Sequence, residues 1–189
     1  MTFAEDIQRC LDALRKGGTI IYPTDTIWGL GCDATDVKAV EKIFSIKARE
    51  ESKSLLILVS SIGMLERYVT EIPSTASRLI EVSDDPLTII YPHGKNLAPG
   101  VCSSDGSVGI RICNDDFCNE LISRFRKPLV STSANFSGMP SPSKFSQIDE
   151  GILNNVDYVV NYRRGDKKAS SPSSIIKVGD DGTFSIIRK

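Results

Sequence analysis

The chain opens on apolar positions at helical spacing. Phe3, Ile7, Leu11 and Leu14 follow a Thr2–Glu5 capping-box pattern, and Gly17-Gly18 stops the predicted helix. The period then shortens. Thr19 to Tyr22 is a β-branched and aromatic run that reads as a strand ended by Pro23. Thr24 to Thr35 is polar and contains glycine, and reads as a loop. Asp36 caps a second helix with Val37, Val40, Ile43 and Phe44 on its inner face. Leu55 to Val59 is continuously apolar, as a strand buried on both faces would be. Helical patterns follow over Ile62 to Val69 and Thr75 to Val82, and strands over Leu87 to Tyr91 and Val108 to Cys113. A helix capped near Asn114 carries Phe117, Leu121 and Phe125. Leu129-Val130 enters a Ser/Pro/Gly-rich loop from Ser131 to Ser146, and strands at Tyr158–Val160, Ser174–Val178 and Phe184–Ile187 complete the pattern. Strands alternate with helices and then close the chain, which predicts an α/β fold with one mixed sheet and helices on its faces.

Composition narrows this reading. The 189 residues are 40% hydrophobic and 25% charged, which suits one folded domain spanning 1–189 and excludes global disorder. The net charge of -1 excludes a highly basic nucleic-acid coat, though it allows a local basic groove. Five cysteines in no C-x-x-C pair, with a single histidine, give no support for zinc or a disulfide framework, so free thiols are expected. The N-terminus lacks a basic stretch followed by an apolar core, and no apolar run reaches membrane-spanning length. The expectation is a cytoplasmic protein with no membrane partner.

Several catalytic designs are absent. There is no phosphate-loop G-x-x-x-x-G-K-[ST] and no G-x-S-x-G elbow. Gly29, Gly31 and Ala34 fit a dinucleotide pattern, but the helix starts too late for that site. His93 sits in a Tyr-Pro-His-Gly turn and reads as solvated. Polar loops remain. Pro23 to Leu30 brings hydroxyls and a carboxylate to a strand end, where open α/β sheets bind ligands, although a local hydrogen-bonded turn would look the same. Lys47, Arg49 and Lys53 offer three cations within seven residues, suited to phosphates or a carboxylate, with a solvated charged loop as the plainer reading. Arg111 interrupts an apolar strand and so needs an anionic partner, either a protein carboxylate or a ligand. Ser131 to Gly138 and Ser170 to Ser174 add small hydrogen-bonding side chains.

These loops, in this order, resemble the YrdC/Sua family of L-threonylcarbamoyladenylate synthases. The matching segments are Thr24 to Leu30, Lys47-x-Arg49, Val108 to Arg111 and Ser131 to Gly138, within a resemblance running from about Gly17 to Arg188. The resemblance implies a twisted mixed sheet with helices on both faces and a positively charged concave cleft. It implies synthesis of threonylcarbamoyl-AMP and pyrophosphate from ATP, L-threonine and bicarbonate or CO2, for modification of the tRNA adenosine next to the anticodon. Carried over to matching positions, Thr24, Lys53, Arg111, Ser133 and Ser173 would hold threonine. Lys47, Arg49, Ser107, Asn135, Ser143 and Arg188 would hold ATP, with Lys47 and Arg49 also acting in catalysis. Arg111 is expected to meet the threonine carboxylate rather than a protein acid. Mg2+ would come with ATP, with no protein side chain as metal ligand. Downstream threonylcarbamoyl-transfer proteins would be partners. The family usually has tyrosine at Trp28, proline at Ser54, and Pro-Gly-Pro where Asp84-Asp85-Pro86 stands. A double-stranded RNA or tRNA-binding module, or a divergent paralogue without synthase activity, is the alternative reading.

Overall fold

The structure is a computed structural model and describes residues 2–48, 55–166 and 171–189. Helix α1 (Phe3–Arg15) has the expected capping box: the Thr2 hydroxyl accepts from the Glu5 N–H, and the Glu5 carboxylate accepts from the Thr2 N–H. Gly17 follows in the left-handed region at φ 70°, where glycine carries no steric penalty. Strand β1 (Ile20–Tyr22) leads to β2 (Gly29–Gly31), then α2 (Val37–Lys47), capped by Asp36. After β3 (Leu56–Val59) come α3 (Ile62–Leu65), α4 (Ser74–Val82), β4 (Leu87–Tyr91) and β5 (Val108–Ile112). Helix α5 (Asp116–Phe125), capped by Asp115, precedes β6 (Leu129–Val130) and β7 (Thr132–Ser133). Helix α6 (Glu150–Leu153), β8 (Tyr158–Val159), β9 (Ser174–Val178) and β10 (Phe184–Arg188) complete the fold.

The α/β class holds, but the strands form two mixed sheets where one was expected. One has the order β7-β2-β1-β8 and the other β10-β9-β4-β5-β3-β6. The chain crosses between them at Ser131: β6 pairs with β3, β7 pairs with β2, and the Ser131 N–H donates to the Leu56 carbonyl between. A single residue makes this transfer, so no loop signal in the sequence marks it.

Strand β2 was read as loop, and its glycines explain both the miss and the strand. A Cβ on Gly31 would lie 2.3 Å from the Val130 carbonyl oxygen and 2.7 Å from the Tyr22 ring. The strand exists because neighbouring backbone and an aromatic ring approach it closely, so its low strand propensity is overridden. The continuous run at β3 behaves as expected: Ile57, Leu58 and Val59 are fully buried between β5 and β6. Buried residues of both sheets and of α1, α2 and α5 form one apolar core. Among the described residues no helix is long and apolar enough to cross a membrane.

Candidate functional site

Strand periodicity builds a concavity on the six-stranded sheet. Thr88 and Ile90 of β4, Gly109 and Arg111 of β5, and Ile175 and Lys177 of β9 point to one face of the six-stranded sheet. The intervening Leu87, Ile89, Tyr91, Ile110 and Ile112 point to the other. The first face floors a cavity of about 420 Å³, closed by the Thr26–Gly29 loop, by Ser131–Ser133 at the seam between sheets, and by Ser173 and Arg188. Arg111, Lys177 and Arg188 are the cations of its wall and Asp105 the carboxylate.

Arg111 is 3% exposed. Its Nη1 donates to Thr26 Oγ1 at 2.9 Å, and its Nη2 lies 3.2 Å from Asp25 Oδ1. The expectation that a ligand would take the place of a protein acid is therefore corrected. A guanidinium shut into a strand needs a counter-charge whether or not a ligand is bound, and the loop after β1 supplies one. Its needs are still not met in full. Among the described residues, three buried side-chain atoms lack a hydrogen-bond partner, and two of them are Arg111 Nε and Asp25 Oδ1. Nearly all buried polar groups in proteins are paired, so these two atoms are exceptions, and both belong to the ion pair that holds Arg111 in the cavity wall.

Arg188 donates from Nε and Nη2 to the Ser173 carbonyl at 2.9 and 2.7 Å. Burial, and then the nearby Arg111 charge, hold its pKa below the usual arginine value. Ser173 pairs its hydroxyl with Thr88 Oγ1 at 2.8 Å. Asp105 Oδ1 accepts from the Ser107 hydroxyl at 2.6 Å and from its N–H at 3.0 Å, and Lys177 lies 3.1 Å from Oδ2. Those bonds, the hydroxyl first, hold Asp105 well below the ordinary carboxylate range, so it is ionised.

The structure thus brings Ser107, Arg111, Ser133, Ser173 and Arg188 to one cavity, and Lys47, Asn135, Thr24 and Ser143 lie outside its lining. Lys47 lies behind the wall. Its ammonium donates to the Ser133 carbonyl at 2.5 Å, the Asn135 carbonyl at 2.6 Å and Asn135 Oδ1 at 3.3 Å. Asn135 in turn donates from Nδ2 to the Met139 carbonyl at 2.5 Å. These two residues shape the loop behind the cavity rather than line it. The Thr24 hydroxyl donates to the Ile27 carbonyl at 2.8 Å and accepts from the Thr26 N–H at 3.0 Å, so it holds its own loop in shape. Thr24 and Ser143 line a smaller cavity of about 90 Å³ that shares Thr26, Ile27 and Trp28 with the large one. Arg49 and Lys53 lie outside the described residues.

Sequence reasoning missed Thr26, Asp105 and Lys177 as cavity residues. Asp105-Gly106 is a turn signal next to Ser107, and Lys177 is the lone charge in its strand, on the same face as Ile175. Trp28 is 6% exposed and packs on Phe145 with ring centroids 4.8 Å apart, giving the cavity an aromatic flank. His93 stands apart, exposed, with Nε2 3.2 Å from Asp180.

Known proteins agree with this picture. The model of the Sua5/YciO/YrdC family, described as telomere recombination, matches residues 12–189. A Methanocaldococcus jannaschii protein provisionally named threonylcarbamoyl-AMP synthase is 37% identical over 187 residues, which is 96% of this chain and 86% of that relative. The threonylcarbamoyl-AMP synthase of Vibrio cholerae is 34% identical over 163 residues, 85% of this chain and 87% of the relative. The crystal structure of P. abyssi Sua5 complexed with L-threonine superposes with a TM-score of 0.84 at 25% identity, covering 100% of this chain. The chain spans 54% of that Sua5 chain's length. The chain belongs to the Sua5/YciO/YrdC family.

Proposed function

We propose that the chain is an L-threonylcarbamoyladenylate synthase, built as a single domain over 1–189, acting in the cytoplasm on ATP, L-threonine and bicarbonate or CO2. The observation that carries this reading is the cavity of about 420 Å³ whose wall carries a buried arginine, two further cations and a ring of small hydroxyls. That volume lies in the range of small-molecule sites.

The chemistry needs little from side-chain acids or bases. The threonine amine nitrogen bonds to the carbon of CO2 and loses a proton, giving an N-carboxylate that is already an anion. One of its oxygens attacks the α-phosphorus of ATP. The bond from that phosphorus to the bridging oxygen breaks, and pyrophosphate leaves with the electron pair. The protein's contribution is alignment and neutralisation of charge. Arg111 takes the threonine carboxylate, and Arg188 and Lys177 face the phosphates. Ser107, Ser133 and Ser173 complete the polar lining, and Lys47 and Asn135 support it from behind. Arg49 and Lys53, by the family pattern, add cations from the neighbouring segment.

Mg2+ enters as part of the nucleotide. Among the described residues no group of three or more His, Cys, Asp or Glu side chains forms a metal-holding cluster, and the Asp105 carboxylate of the wall is engaged by Ser107 and Lys177. On the phosphates the ion would offset charge that the cationic wall leaves uncompensated. The product is a reactive mixed anhydride, consumed by threonylcarbamoyl-transfer proteins acting on the tRNA adenosine next to the anticodon.

The test is pyrophosphate release by the purified protein with each substrate omitted in turn. Release that requires ATP, L-threonine and bicarbonate together is the expected result. Binding of duplex RNA or tRNA with no pyrophosphate release under any mixture would instead favour the RNA-binding module or inactive paralogue.

A further inference from the structure

We propose that Asp25 is the positioning residue of the threonine site: it holds the Arg111 guanidinium in the orientation its side chain takes in the cavity wall. The inference rests on the synthase reading above. Arg111 and Asp25 are both nearly sealed, with side chains 4% and 9% exposed, and their contact is 3.2 Å. Asp25 is itself anchored from a third element, its Oδ2 accepting from the Asn114 N–H at 3.3 Å, just ahead of the Asp115 cap of α5. One carboxylate therefore ties the loop after β1 to strand β5 and to the start of α5. Thr26, the next residue, takes Nη1. With Nη1 and Nη2 both held by this loop, the guanidinium plane is fixed in the cavity wall.

The charge pattern gives the same assignment. Arg188 shares the cavity wall with Arg111, and no carboxylate pairs with it among the described residues. Two guanidiniums facing one cavity repel, and an added phosphate would draw both. Asp25 supplies its counter-charge to Arg111 from behind, on the wall of the second cavity across the sheet, where it is out of the substrate's way. Arg111 is thus held in place for a small carboxylate, while the charge of Arg188, which no carboxylate offsets among the described residues, is left to meet phosphate.

A plain structural ion pair would stabilise the fold and treat both substrates alike. A positioning residue acts through Arg111 on threonine alone. The decisive measurement is calorimetric binding of L-threonine and, separately, of ATP, to the wild type, Asp25→Asn, Arg111→Ala and the double variant. Asp25→Asn keeps the size and an acceptor oxygen, so the fold survives. It should weaken threonine at least about tenfold, the scale of one charge-assisted hydrogen bond, and ATP less than about twofold. In the Arg111→Ala background the same change should have no further effect on threonine. Unchanged threonine affinity in Asp25→Asn, equal losses for both ligands, or additive losses in the double variant would each overturn the proposal and leave the synthase reading intact. Should Asp25→Asn not fold, Asp25→Glu replaces it, and full threonine affinity there with a shifted carboxylate would overturn the proposal too. A wild type that neither binds threonine nor releases pyrophosphate would remove the synthase reading, and this inference with it.

Discussion

Lys47 and Arg111 are both cations closed off from solvent, 1% and 3% exposed, and they differ in whether their donors are used. The Lys47 ammonium has three oxygens of Ser133 and Asn135 around it. Arg111 has an ion-pair partner and a threonine hydroxyl, and still holds a buried Nε–H with no acceptor. Two buried carboxylates fall on the lysine's side. Asp6 accepts from Tyr158 Oη and from the N–H groups of Asn161 and Tyr162. Asp33 accepts from the Thr35 N–H and hydroxyl and pairs with Lys127. Burying a charge is common to structure and to function in this molecule. What separates the two is whether the charge stands in the wall of a cavity, as Arg111 does and Lys47 does not.

The largest expected effect breaks the structural member of the comparison. Lys47→Met leaves the Ser133 and Asn135 carbonyls without their donor and should cost about 3 kcal/mol of stability, read by denaturant unfolding. Threonine and ATP binding should fall together, because the whole 133–137 loop loses its anchor. Loss of ATP affinity alone in a fully stable Lys47→Met protein would return Lys47 to the phosphate site.

Asp6 sharpens the same point through pH. Burial raises its pKa, but the Asn161 N–H, the Tyr158 hydroxyl and the Tyr162 N–H outweigh that, and the carboxyl titrates below its ordinary 3.8. A folded pKa below the unfolded one adds stability that is complete above about pH 4 and is lost as pH falls through the folded value. Asp6→Asn should lower stability by about 1–3 kcal/mol at pH 7 and flatten this acid slope. Identical slopes for variant and wild type between pH 5 and 2.5 would show that Asp6 does not carry it.

Thr24→Val is a smaller change. The hydroxyl serves its own loop, so about 1–2 kcal/mol of stability should be lost, with both substrates bound somewhat less well. A large loss confined to threonine would mean that Thr24 touches substrate. The smallest effect is expected at Cys32, buried and with its thiol pKa pushed up by burial. Cys32→Ser should turn over at the wild-type rate, and a folded but inactive variant would reveal a role for the thiol.

How far the sequence disclosed this arrangement depended on the kind of signal. Arg111 was legible because a lone guanidinium in an apolar strand conflicts with its setting, although the choice of Asp25 as partner depends on a loop meeting a strand 86 positions away. The burial of Lys47 and its bonds to Ser133 and Asn135 are not legible in the sequence, because a lysine at a helix end looks the same whether its stem is solvated or buried. Strand β2 was hidden because Gly29-Leu30-Gly31 has no strand propensity, and only contact with Tyr22 and Val130 explains it. Lys177 and Asp105 were missed because their meeting requires β9 to lie beside β4, a long-range pairing that local periodicity does not encode.

The synthase reading turns on Arg111 receiving the threonine carboxylate. The direct measurement is the apparent affinity for threonine and for ATP, each at saturation of the other, in a folded Arg111→Lys protein. Lysine keeps the charge and removes the two parallel donors. The account predicts a threonine loss of about 1.5–3 kcal/mol, or roughly tenfold to a hundredfold, with ATP affinity within about twofold of wild type. An equal loss for both substrates, with lowered thermal stability, would make Arg111 and Asp25 a structural pair and contradict the claim.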